Sequence, residues 1–207
     1  MSHAKRLVPA FVVILLLVLA AGWLITHPLR SSLGFDNDLA LWLEDHRTSL
    51  GNDLSAAGAF IGSTYVFLAG SVLLTGLLAW RAGRRRAIFA FSATAGVLVI
   101  YLAATQLISR DRPPVHILDP GLVPNHSFPS GHTLFATGLY GALLVLLWNR
   151  QRWAACLLAL IPPIVAVSRL YEGAHHLTDV LTSLVAASVW LVVLTKVVDP
   201  NEERARS

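Results

Sequence analysis

The sequence predicts an all-α integral membrane protein, a bundle of six membrane-spanning helices. Hydrophobic residues make up 55% of the 207 residues and the mean hydropathy is +0.63, values too apolar for a soluble domain. Six apolar runs approach the length that crosses a hydrocarbon core of about 30 Å. The runs are Leu7–Thr26, Ala59–Trp80, Ala87–Ser109, His132–Trp148, Ala154–Leu170 and Leu177–Val198. We treat residues 1–207 as a single domain built from them.

The first apolar run follows Lys5 and Arg6, an arrangement that signal peptides share with membrane helices. The run is longer than a usual signal-peptide core, and no clean cleavage site of small residues follows it. We therefore interpret it as the first membrane helix, with a signal peptide as the alternative.

Residues 27–58 form the most polar part of the chain, where acids alternate with leucines around Trp42. This pattern predicts in part an amphipathic helix on the membrane surface, with Trp42 at the level of the lipid headgroups.

The basic residues indicate the orientation of the bundle. Eleven would lie on one side of the membrane: Lys5, Arg6, Arg81, Arg84, Arg85, Arg86, Arg150, Arg152, Lys196, Arg204 and Arg206. Five would lie on the other: Arg30, Arg47, Arg110, Arg112 and Arg169. The positive-inside rule then places both termini in the cytoplasm of a multi-pass protein of the cell (inner, cytoplasmic) membrane.

The net charge of +4 lies in short loops, so the sequence predicts no nucleic-acid partner. A single cysteine, Cys156, excludes an intrachain disulfide and a CxxC metal site. The oligomeric state is not predicted.

Three polar stretches would emerge together on the outer face. The first, Thr105–Pro114, carries Arg110 and Arg112 beside prolines. These arginines either extend to the interface as snorkelling side chains or hold phosphate oxygens with their planar guanidinium groups.

The second stretch, Phe128–Thr133, has the order Pro-Ser-Gly-His. Ser130 would cap the helix that follows, Gly131 would let the backbone approach a ligand, and His132 would stand in the first turn. A helix N-terminus of this kind is an anion site, although a plain helix cap has the same sequence.

The third stretch, Ser168–Asp179, adds Arg169, His175 and Asp179. If a helix opens at Gly173 or the next residue, His175 and Asp179 share a face, and the carboxylate holds one imidazole nitrogen. A solvated helix pair is the alternative. His176, about 100° away on that helix, would face a loop or solvent, and His126 would reach at most the rim of the site.

These stretches resemble the type 2 phosphatidic acid phosphatase (PAP2) superfamily, whose pattern is K-x6-R-P, then P-S-G-H, then S-R-x5-H-x3-D. The second block is complete at residues 129–132, and the third at Ser168, Arg169, His175 and Asp179. In the first block Arg112 and Pro113 match, but Thr105 stands where the family has lysine. The resemblance covers residues 105–179, and the six-span layout extends it to most of the chain.

The resemblance implies a phosphatase without a metal or other cofactor. His175 would be the nucleophile that forms a phosphohistidine, Asp179 would orient it, and His132 would act as general acid and then base. The phosphate would be bound by Arg112, Ser130, Gly131 and Arg169, and Arg110 is the candidate to replace the missing lysine.

The implied substrate is a membrane lipid phosphate, with a polyprenyl pyrophosphate such as the undecaprenyl carrier of cell-wall synthesis favoured. Phosphatidylglycerol phosphate, phosphatidic acid and diacylglycerol pyrophosphate are alternatives. A lipid phosphotransferase using the same histidine, and a non-catalytic transporter of anions or lipids, are the alternative functions.

Overall fold

The computed structural model describes the backbone of residues 3–201 and the side chains of residues 5–201. This part of the chain is helical, with a 3-10 turn at Arg30–Ser32 and one isolated bridge between Arg110 and His126. The helices are α1 His3–Thr26, α2 Gly34–Asp45, α3 Ser49–Ile61, α4 Thr64–Arg81, α5 Arg84–Leu107, α6 Gly131–Leu147, α7 Arg152–Tyr171 and α8 Leu177–Val198. The all-α prediction is confirmed for these residues.

The six predicted runs correspond to α1, α4, α5, α6, α7 and α8. Within the described residues, five segments are long and apolar enough to cross a membrane: Lys5–Thr26, Ser49–Arg81, Arg84–Leu107, Arg152–Tyr171 and Leu177–Val198. The remaining helix, α6, is apolar but has 17 residues. A count of six spans therefore stays a prediction.

The predicted start of the second run is wrong. The chain breaks after α3, where the hydroxyl of Ser63 accepts a hydrogen bond from the amide of Val66 and caps α4 at its N-terminus. Residues 59–61 therefore belong to α3, because local capping at Ser63 determines the helix boundary and hydropathy does not.

Large apolar side chains point outward along the apolar helices. Val72 and Leu73 on α4 are each more than 70% exposed, and the most apolar window of Ser49–Arg81 is only 11% buried. Such a surface is typical of a protein whose solvent is lipid.

Helix α6 lies at the centre of the bundle, in contact with α4, α5, α7 and α8. Phe135 stacks on Phe67 with ring centroids 4.3 Å apart. Tyr101 contacts the ring of Phe135 edge-on, with centroids 5.1 Å apart. Gly138 lets α5 approach closely, because a Cβ there would lie 2.6 Å from a methyl of Val97. This packing fixes the N-terminus of α6 among its neighbours.

The two ends of the bundle differ in charge and chemistry. At one end, the Nε of Arg86 donates to the carbonyl of Pro200 at 3.1 Å, and Asn201 donates to the carbonyl of Val145 at the same distance. The start of α5 and the ends of α6 and α8 therefore lie together. The three polar motif stretches lie at the opposite end. Arg204 and Arg206, which contributed to the orientation prediction, lie outside the described residues.

The polar stretch 27–58 contains α2 and most of α3, and the position of a helix on the membrane surface stays a prediction. Trp42 is exposed and stacks on His46 with ring centroids 4.4 Å apart. The end of α2 also holds the loop that follows α5, because the carboxylate of Glu44 accepts from the amide of His116 and Arg47 donates to the carbonyl of the same residue.

Candidate active site

His175 lies in the turn between α7 and α8, with its side chain buried. Its Nδ1 lies 2.6 Å from the carbonyl oxygen of Ser127. A carbonyl only accepts, so the proton sits on Nδ1 and the lone pair of Nε2 is free. The expected partner, Asp179, has its Oδ2 3.8 Å away, beyond a direct hydrogen bond. The prediction assumed a helix that includes His175, whereas α8 begins only at Leu177.

The surroundings of His175 keep it neutral. Burial lowers its pKa to about 4; nearby Asp179 opposes this effect and the cation of Arg169 adds to it. At neutral pH the ring therefore carries the unprotonated nitrogen that a nucleophile requires.

Asp179 orders the turn around His175. Its Oδ2 accepts from the Ser127 hydroxyl at 2.6 Å and from the His176 amide at 2.9 Å. Its Oδ1 contacts the guanidinium of Arg110. The carboxylate therefore acts on His175 through Ser127, which offers its carbonyl to the imidazole.

The sequence predicts that His176 faces a loop or solvent; it faces the loop before α6, where its Nδ1 lies 3.4 Å from the hydroxyl of Ser127, and it does not face solvent. The side chain is 6% exposed, and its Nε2 lies 3.2 Å from Oδ1 of Asn37 on α2. The expected angle of about 100° between neighbouring side chains holds only inside a helix, and His176 is the N-cap residue of α8.

The Pro-Ser-Gly-His stretch enters α6 as the sequence predicts, with Ser130 at the N-cap. The hydroxyl of Ser130 makes no cap bond and lies 3.0 Å from the hydroxyl of Thr133. At Gly131 a Cβ would lie 2.8 Å from the ring of Tyr101, so packing requires glycine there. His132 stands in the first turn, within electrostatic range of Arg169, His175 and Arg112.

Arg112 is held by the backbone. Its Nε donates to the carbonyl of Val123 at 2.9 Å, and its terminal nitrogens donate to the carbonyls of Ala174 and His126. Burial lowers the pKa of Arg112 below the usual arginine value, and the neighbouring cation of Arg169 lowers it further. A partly desolvated cation held by carbonyls alone is well suited to an anionic ligand.

Arg169 is fully buried and contacts two acids. One terminal nitrogen donates to Glu172 and the other to Asp119 at 2.8 Å, while its Nε has no hydrogen-bond partner among the described residues. Burial raises the pKa of Glu172 to about 7, since the loss of solvent outweighs the attraction of Arg169.

Arg110 lies between two buried carboxylates, and its assignment as the replacement for the missing lysine stays a prediction. It donates to Asp36 at 2.8 Å, to the hydroxyl of Thr178 at 2.7 Å and to Asp179. Together with its two buried acids Arg110 forms a group of net charge −1, which weakens its attraction for phosphate. Thr105, the position of the family lysine, donates its hydroxyl to the carbonyl of Tyr101 within α5.

The sequence analysis missed several residues that contact the predicted site residues, among them Ser127, Asp36, Asp119 and Glu172. The three acids carried a signal, because a carboxylate near an apolar helix is costly unless it has a partner. Ser127 carried none, since serine is common in loops. Within residues 5–201, no three His, Cys, Asp or Glu side chains converge in an arrangement that would hold a metal ion.

A polar cavity of about 460 Å³ opens beside this cluster, between the end of α1, α2 and the segment after α5. Arg110, Arg112 and His176 line its inner wall. His126 contributes its backbone carbonyl to Arg112, which supports a place at the rim of the site.

Comparison with known proteins identifies a matching protein family, solved structures with a similar fold and curated relatives of similar sequence. Residues 86–203 match the family model described as the PAP2 superfamily. The fold is similar to a PAP2-type phosphatidylglycerolphosphate phosphatase from Bacillus subtilis, with a TM-score of 0.70, 21% identity and 96% of each chain covered. It is also similar to LpxE from Aquifex aeolicus, with a TM-score of 0.64, 22% identity and coverage of 77% of this chain and 93% of the other.

Two curated relatives match over 108 residues. Sphingosine-1-phosphate phosphatase 2 from Homo sapiens is 32% identical over 48% of this chain, and its Mus musculus counterpart is 30% identical over the same share. The match spans only 27% of the human protein and 30% of the mouse protein.

Proposed function

Because this chain belongs to the PAP2 superfamily, we propose that it is a membrane lipid phosphatase that removes the terminal phosphate from a lipid phosphate or pyrophosphate. The observation that carries the proposal is the state of His175. Its Nδ1 proton is held by the carbonyl of Ser127, and burial keeps the ring neutral, so Nε2 presents a lone pair. Arg112 and Arg169 lie within electrostatic range of that ring.

In the first step His175 Nε2 attacks the terminal phosphorus in line. The bond from phosphorus to the leaving oxygen breaks, and His132, which enters this step as the imidazolium, donates its extra proton to that oxygen and becomes neutral. The positive charge that develops on the imidazole of His175 is stabilised by the carboxylate of Asp179, which contacts that imidazole through Ser127.

In the second step the unprotonated His132 takes a proton from water. The water oxygen attacks phosphorus, the nitrogen–phosphorus bond breaks, and inorganic phosphate leaves with His175 restored. General acid and base catalysis of this kind contributes about 10²–10⁴-fold.

Four groups are proposed to bind the phosphate: Arg112, Arg169, Ser130 and the backbone amide of Gly131. Catalysis of phosphoryl transfer relies mainly on positioning and on neutralising the oxygens. Arg112 is the strongest candidate, because its hydrogen bonds to carbonyls leave its charge uncompensated.

The substrate is proposed to be a polyprenyl pyrophosphate. The relatives carry names of phosphatases for lipids with different headgroups, which supports an amphiphilic substrate without selecting one. The distribution of basic residues supports six spans with both termini in the cytoplasm and the site at the outer face of the cell membrane. A lipid could then enter laterally while its headgroup meets the arginines.

The test is phosphate release from undecaprenyl pyrophosphate by detergent-purified protein in excess chelator. His175→Ala should reduce release by more than about 10³-fold, because no other group replaces the nucleophile. His126→Ala, whose side chain has no assigned role, is the matched control and should remain near wild type.

Activity retained in His175→Ala would contradict the proposal. Strong inhibition by chelator would point to a metal-dependent reaction, and appearance of the phosphate on an added acceptor lipid would indicate a phosphotransferase. Lipid movement that survives His175→Ala without hydrolysis would favour the transporter alternative.

The pH dependence provides a further check. Because protonation removes the Nε2 lone pair, kcat/KM should fall as the pH drops through about 4, the pKa of His175. Full activity well below that pH would contradict the assignment of His175 as nucleophile.

A further inference from the structure

Asp36 on α2 contacts the site from a part of the chain that precedes the family match at residues 86–203. Its side chain is only 1% exposed, although α2 is otherwise largely exposed and buries only Ala40 besides Asp36. A buried carboxylate is costly unless each oxygen is hydrogen-bonded. The partners of Asp36 therefore indicate what it does.

Both oxygens of Asp36 are used. Oδ1 accepts from the amide of Thr178 at 3.1 Å, and Oδ2 accepts from the hydroxyl of Thr178 at 2.6 Å and from Arg110 at 2.8 Å. Asp36 thus fastens the first turn of α8, the turn that carries Asp179.

Arg110 links Asp36 to the segment around His175 in two ways. Its guanidinium reaches Asp179 on the side opposite Ser127, and its backbone carbonyl accepts from the amide of Ser127 at 3.0 Å. The segment that presents the Ser127 carbonyl to His175 is therefore paired with the backbone of Arg110.

We propose that Asp36 is a positioning residue for the nucleophile His175, acting through Arg110 and Thr178 on Asp179 and Ser127. This inference rests on the proposed function. The contacts run from Asp36 to Arg110, to Asp179, to the Ser127 hydroxyl, and from the Ser127 carbonyl to His175 Nδ1.

The charges agree with this role. Asp36, Arg110 and Asp179 together carry −1, which stabilises the positive charge that develops on His175 during attack. Without the Asp36 charge, the cation of Arg110 would neutralise Asp179 and the group would carry zero. Loss of Asp36 should therefore slow the chemical step, whereas phosphate binding by Arg112 and Arg169 should change little.

The experiment compares Asp36→Asn with Asp38→Asn, an exposed aspartate on the same helix. Asparagine preserves shape and removes charge. We expect Asp36→Asn to lower kcat by about 10- to 100-fold with KM within about two-fold of wild type, because a small misplacement of reacting groups has effects of this size. Asp38→Asn should match wild type.

Thr178→Val provides a second variant in case Asp36→Asn folds poorly, and it should lower kcat by several-fold for the same reason. The fraction of folded protein is measured by gel filtration, and rates are expressed per folded molecule. A merely structural role would lower that fraction and leave kcat per folded molecule unchanged.

His175→Ala is measured in parallel to separate the two proposals. If wild type releases phosphate, His175→Ala does not, and both Asp36→Asn and Thr178→Val retain wild-type kcat, the role of Asp36 is overturned while the phosphatase stands. If wild type releases no more phosphate than His175→Ala from any lipid tested, both proposals fail.

Discussion

Two arginines at the site, the partly buried Arg110 and the fully buried Arg169, each contact two carboxylates, yet the two clusters differ in the exposure of their acids. Both acids of Arg110 are inaccessible, with Asp36 at 1% and Asp179 at 0% side-chain exposure. Arg169 has one buried partner, Glu172 at 5%, and one partly exposed partner, Asp119 at 29%. We call the first cluster closed because both of its acids are buried, although Arg110 itself is 11% exposed and lines the polar cavity. We call the second cluster open because Asp119 reaches the surface.

The difference separates two uses of the same residue type. A cation enclosed by two fully buried acids serves to fix the elements that carry them, here α2 and α8. A cation whose second acid lies at the surface of a loop remains available to another anion if that acid moves away. We therefore propose a phosphate-binding role for Arg169 and a positioning role for Arg110.

The largest effect should come from removing the cation of the closed cluster. Arg110→Ala leaves Asp36 and Asp179 buried without a positive charge, which should lower the free energy of unfolding by about 3–5 kcal/mol. Arg169→Ala should lower it less, because Glu172 can take up a proton.

Denaturation midpoints of both variants in detergent, with the exposed Arg30→Ala as control, measure this difference. An Arg169→Ala variant as unstable as Arg110→Ala would remove the distinction between the clusters.

A smaller effect concerns Glu172 and pH. Its folded pKa of about 7 lies above the ordinary value of 4.5. Its stabilising contribution should therefore be complete below about pH 4.5 and be lost as the pH rises through 7. Glu172→Gln should remove this decline.

The lowered pKa of His175 produces the opposite slope over an overlapping range, so the informative quantity is the difference in melting temperature between wild type and Glu172→Gln at each pH. A difference that does not change from pH 4.5 to 7 would show that Glu172 does not titrate there.

The smallest effect should come from removing the charge of the partly exposed acid in the second cluster. Asp119→Asn removes an anion that competes with phosphate for Arg169, and a partly exposed ion pair contributes about 0.2–1 kcal/mol. Vanadate, which mimics the pentacoordinate phosphorus of the transition state, should therefore inhibit this variant with an inhibition constant up to about five-fold lower than that of wild type.

Asp111→Asn, which changes an exposed acid in the same segment between α5 and α6, is the control and should change little. Weaker inhibition in Asp119→Asn would mean that Asp119 holds Arg169 in place for phosphate and does not compete with it.

Much of the fold followed from hydropathy, because each apolar run needed a helix to satisfy its backbone in lipid. The boundaries were less predictable. The break before α4 depends on the cap at Ser63, and α8 begins two residues after His175. The buried position of His176 could not be predicted for the same reason, because it depends on where that helix starts.

The sequence by itself determined the chemistry available at the site: two histidines, an aspartate and three arginines, in an order and spacing that resemble a known family. Only the tertiary structure determined which acids each arginine contacts and which group accepts the proton on Nδ1 of His175. These assignments depend on contacts between residues far apart in the chain, such as Asp36 with Arg110 and Ser127 with His175. A residue type specifies which bonds a side chain can make, and only folding specifies which partners lie within hydrogen-bonding distance.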